Sequence, residues 1–88
     1  MARDGFQQAA DHGHSDAQNH LGVMYARGEG LPQNYVQAYK WFSLAAAQGE
    51  KEAVRLLTLA KSKMTQEQIR EARQLAAEWQ PAQAAVPR

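Results

Sequence analysis

The 88-residue chain has no cysteine, so neither a disulfide framework nor a thiolate metal site can support it, and its redox compartment is left open. It also lacks an excess of either charge. Ten Lys and Arg face nine Asp and Glu, too even a balance for gripping nucleic acid or an anionic membrane. No stretch free of polar residues exceeds four, as at 21–24, 44–47 and 84–87, which excludes a membrane span. The N-terminus has no apolar signal core, so the chain as given reads as cytoplasmic, or as periplasmic or secreted if cut from a longer precursor. Large aliphatic residues are scarce too. Seventeen residues are Ala and only twelve are Leu, Ile or Val, a composition suited to closely packed helices and poor for a sheet. One small domain is all this length allows.

What the chain does contain is repetition. A shift of 36 positions superposes Phe6 on Phe42, Ala9 on Ala45, Ala10 on Ala46, Gly13 on Gly49, Ala17 on Ala53 and Leu21 on Leu57. A period in the thirties with helical spacing and glycine punctuation predicts an all-α, α/α solenoid of helix-pair repeats, with about five helices.

The helices are expected near residues 3–12, 15–27, 34–48, 51–62 and 65–80. Gly13 and Gly49 stand where left-handed C-caps belong, and Asn34 can cap the third helix. Ser15 with Gln18, and Thr65 with Gln68, have the spacing of capping boxes. Pro81 stops the fifth helix. The inward stripes include Leu21, Met24 and Tyr25, then Trp41 and Phe42, then Leu56 and Leu57, then Ile69, Leu75 and Trp79.

The run Ala17, Leu21, Gly22, Met24, Tyr25, Gly28, Gly30, Leu31, Asn34, Ala38, Trp41, Ala45, Ala46, Gly49, Ala53 resembles the Sel-1-like repeat, a helix pair related to the tetratricopeptide repeat. The resemblance covers one full unit, 14–49, with 2–13 as the second helix of a partial unit before it. Past Leu57 the pattern departs, with Thr58, Lys61 and Met64 where Gly22, Tyr25 and Gly28 stood. Residues 50–80 are therefore expected to form a degenerate repeat and C-terminal cap helix, within a single domain of 1–80 followed by a disordered tail, 81–88. The resemblance implies a superhelical, non-catalytic scaffold for protein–protein interaction, of the kind found in bacterial and eukaryotic signalling, secretion and quality-control assemblies.

Packing alone accounts for the matched positions: Gly22 and the alanines let helix axes approach, Tyr25, Trp41 and Phe42 fill the wider spaces, and Leu31 can plug the glycine loop. No catalytic, cofactor-binding or metal-ligating residue stands out. His12, His14 and His20 with Asp11 and Asp16 are poorly spaced for zinc, and the glycine loop after Arg27 lacks the following Lys-Ser or Lys-Thr of a phosphate cradle. Ser15, Ser43 and Ser62 have no accompanying base, so a wall-directed or other hydrolase would rest on a site not visible here. A helix-turn-helix around Lys61, Lys63, Arg70 and Arg73 is weakened by Glu67 and Glu71 among the supposed phosphate contacts, so no nucleic acid is expected.

A protein or peptide partner is expected in the concave groove formed by the first helix of each pair. The second helix presents Asp16, His20, Val23 and Arg27, and 36 residues on the fourth presents Glu52, Leu56, Leu59 and Lys63, with Asn19 and Arg55 as exposed neighbours. The expected contact residues are Asp16, Asn19, His20, Val23, Arg27, Glu52, Arg55 and Leu59. The same spacing also suits Leu56 and Leu59 packing on adjacent helices, and an acid at a helix start with a base at its end is ordinary dipole complementation. A homodimer through the N-terminal helix face around Phe6 is a further expectation, because a helix that opens mid-unit leaves its packing surface uncovered.

Overall fold

The computed structural model describes residues 8–79, which form helices and no strand. The first helix, α1, is described over 8–11. It is followed by α2 (Ser15–Arg27), α3 (Tyr35–Ala47), α4 (Lys51–Lys61) and α5 (Gln66–Glu78). The expected face around Phe6, the start of the partial unit and the tail 81–88 lie outside the described residues.

The breaks between helices follow from local hydrogen bonding. Gly13 and Gly49, related by the 36-residue shift, have φ of 92° and 96°, a left-handed region closed to most side chains. At each, the same pair of bonds closes the preceding helix: Gly13 N–H to Ala10 O with His14 N–H to Ala9 O, and Gly49 N–H to Ala46 O with Glu50 N–H to Ala45 O. Asn34 accepts from the Gln37 N–H at 3.1 Å and opens α3. Thr65 and Gln68 form the reciprocal capping box at α5, with bonds of 3.1 and 2.9 Å.

The box expected at Ser15 and Gln18 is absent. His14 occupies the N-cap of α2 with no side-chain cap, and Ser15 is already helical. Gln18 is fully buried instead. Its amide donates to Ala10 O at 3.2 Å and its carbonyl accepts from Gln48 Nε2 at 2.8 Å. The reason is tertiary: the tight Gly13 turn brings the end of α1 onto α2, where a buried carbonyl needs a donor, and that demand outweighs a solvent-facing cap.

α3 is the central element, packed against α2, α4 and α5. On one side Ala38 and Phe42 join Ala60, with Val23, Leu56 and Leu57 around them. Elsewhere on the helix, Trp41 joins Ala10, Ala17 and Leu21, and Trp79 from the end of α5 packs onto this cluster. Arg73 of α5 donates through Nε to the Tyr39 hydroxyl at 3.2 Å. α4 and α5, though joined by a short turn, share almost no contact, because α5 lies along α3 and leaves its predecessor. Leu31 folds back onto the Trp41 cluster, as a loop plug would. The architecture is an all-α helical repeat solenoid in which α2 and α4 lie side by side and α3 backs both.

Candidate functional site

Two observations show that α2 and α4 run parallel. At their N-terminal ends Asp16, in the first turn of α2, and Glu50, the N-cap of α4, stand close enough for the Asp16 carboxylate to raise the Glu50 pKa. At the other end Arg27, the last residue of α2, and Lys63, just past α4, line the same cleft. Between these ends the helices part enough to leave a cleft of about 270 Å³, walled by Val23 and Ala26 of α2 and by Leu56, Leu59 and Ala60 of α4. Phe42 and Tyr35 of α3 complete the lining. Phe42 is buried, whereas Leu59 is 56% exposed, so the cleft is an open apolar trough over a firm floor.

Of the residues expected to contact a partner, Val23, Arg27 and Leu59 lie on this cleft, as do Leu56 and Lys63. Asp16, Asn19, His20, Glu52 and Arg55 do not line it. Asp16 belongs to the acidic end. Arg55 pairs with Glu52 at 2.7 Å, three residues away on the exposed surface of α4. His20 is exposed. Asn19, expected to be exposed, is half-buried, and its Oδ1 is buried with no hydrogen-bond partner among the described residues. The floor residues Tyr35 and Phe42 and the small wall residues Ala26 and Ala60 escaped sequence reading, since the stripe that points them inward reads as core whether or not a trough opens above it.

The electrostatics differ from end to end. At the N-terminal end the Glu50 carboxyl is held above the usual carboxylate range, chiefly by the hydrogen bond with Asp16, then by desolvation and by repulsion from Asp16 and Glu52. A raised carboxyl pKa contributes stability that is complete below the ordinary carboxylate range and is lost as pH rises through the raised value. Glu50→Gln keeps a donor for Asp16 without the second charge. The variant is therefore expected to be the more thermostable protein at neutral pH and to match the wild type in acid, by melting temperature across a pH series. A wild type that is the more stable at pH 7 would contradict this placement of the pair.

Among the described residues no group of three or more His, Cys, Asp or Glu is placed to hold a metal ion, and no helix is long and apolar enough to cross a membrane. Of the cations a helix-turn-helix would use, Arg73 is turned onto Tyr39 and Lys63 lines the cleft.

Parallel inner helices backed by an outer one, with glycine-capped breaks at a fixed period, define an α/α repeat protein of the helix-pair class. The Sel1 repeat family model matches residues 6–14 and 15–50, and the chain belongs to that family. Sel1 repeats generally mediate protein–protein interaction and are typically non-catalytic scaffolds. No curated protein matches the chain.

Proposed function

We propose that the protein is a non-catalytic interaction module that binds a protein or peptide partner in the concave groove between α2 and α4. The observation that carries this reading is the apolar trough itself, with Leu59 largely exposed at its edge while Phe42 forms a buried floor. An exposed large apolar residue beside a shaped cleft is a common mark of an interaction surface. The contact surface in this reading comprises Val23, Arg27 and Leu59 on the trough, with Asp16, Asn19, His20, Glu52 and Arg55 along its flanks. Partner specificity then resides in side chains that the repeat's packing does not need.

Peptides recovered by display selection against the full chain test the proposal. Leu59→Ser removes an apolar contact from a position so exposed that thermal stability should shift by no more than about 0.5 kcal/mol. Affinity for the selected peptides should fall about tenfold or more, the equivalent of losing one buried leucine. Unchanged affinity would place binding elsewhere on the surface.

A further inference from the structure

Resting on the groove reading, we infer that the partner segment is an acidic-apolar peptide, with a bulky apolar side chain in the trough and carboxylates toward Arg27 and Lys63. The argument is charge complementarity at the cationic end of the trough.

At the C-terminal end the cleft is lined by two cations and no carboxylate. The ion pair that Arg27 makes with Glu29 spans 3.7 Å between side chains that are 69% and 60% exposed, a contact of little energy that a better-placed carboxylate displaces. Tyr35 adds a donor. Its hydroxyl accepts from Gln33 Nε2 at 3.5 Å, which leaves its own O–H to donate to a partner's acceptor. A guanidinium, an ammonium and a phenol beside an apolar pocket suit a carboxylate adjoining a large aliphatic or aromatic side chain.

The test is the composition and charge dependence of peptides selected from a random twelve-residue display library on the full chain. The expected outcome is a consensus of a large apolar residue adjoined by Asp or Glu. Binding should weaken about tenfold or more in the Arg27→Glu/Lys63→Glu variant and recover when the peptide's acid is replaced by lysine. Circular dichroism of the variant confirms folding, since both cations are exposed. Peptides without acids that still lose affinity on Leu59→Ser would overturn the charge assignment and leave the groove standing. Peptides indifferent to Leu59→Ser overturn the groove as well, as does a selection that enriches nothing over a bare support. Self-association in sedimentation equilibrium that Leu59→Ser abolishes would replace the peptide by a second copy of the chain.

Discussion

Trp41→Ala is expected to destabilise the fold by about 3–5 kcal/mol, measured by denaturant unfolding. The indole is 2% exposed and packs among Ala10, Ala17 and Leu21. It meets Trp79 edge to face, with ring centroids 6.0 Å apart and planes at 74°. The Lys40 ammonium sits 4.2 Å from its centroid. Truncation removes all of these contacts at once and cuts one of the ties that hold α5 to α3, the Arg73–Tyr39 bond being another. Small domains are stable by only about 5–15 kcal/mol, so the variant stands close to unfolding. Trp41→Phe supplies the control. Among the described residues the buried Trp41 Nε1 has no hydrogen-bond partner, so phenylalanine forfeits packing area while relieving a stranded donor, and its cost should be well below that of alanine. A loss under about 1 kcal/mol for Trp41→Ala would contradict a Trp41 wedged between α1, α2 and α5.

The second large effect is expected at Gly22, where helix propensity and packing point in opposite directions. A side chain in mid-helix is worth up to about 1 kcal/mol over glycine by propensity alone. Yet a Cβ built at Gly22 lies 2.6 Å from Phe42 Cε1 and 2.7 Å from Cδ1, closer than real carbons come. Phe42 is itself 2% exposed, so its ring must be driven from its packed position at the floor of the trough to make room. Gly22→Val should therefore destabilise by about 3 kcal/mol, with overpacking the larger effect. Phe42→Leu in the same chain should recover part of that loss, giving a favourable coupling energy in a double-mutant cycle. Simple additivity would show that the two positions do not touch.

Much of this fold could be read in the sequence because its breaks are local events. Gly13, Asn34, Gly49 and the Thr65–Gln68 box act within one turn of the residues they terminate, so the chain's own order reveals them. Gln18 could not be read that way. Its side chain answers to a carbonyl on α1 and to Gln48 thirty residues later, and no rule of spacing within α2 contains that demand. The path of α5 was hidden for the same reason. Its stripe of Ile69, Ala72, Leu75, Ala76 and Trp79 announces a buried face without saying which helix buries it, and Tyr39 with Trp41 makes that helix α3.

The groove divides along similar lines. Val23, Arg27 and Leu59 were legible as positions left over once the repeat's packing stripe was assigned, and they line the trough. Asn19 reads as part of the same surface, but a helical face shades gradually from exposed to buried, and this side chain falls half-buried at that boundary. The contribution of Tyr35 and Phe42 depends on how far α2 and α4 stand apart, a distance set by packing onto α3 and by no single residue.

The central claim is that α2 and α4 form the binding surface. It is tested most directly by mapping amide chemical-shift changes on the isotope-labelled full chain as a display-selected peptide is added. The predicted result is a continuous set of changes over Val23, Ala26, Arg27, Leu56, Leu59, Ala60 and Lys63, with the exposed face of α5 around Arg70 and Gln74 unaffected. Changes concentrated on that α5 face, with the trough silent, would contradict the account.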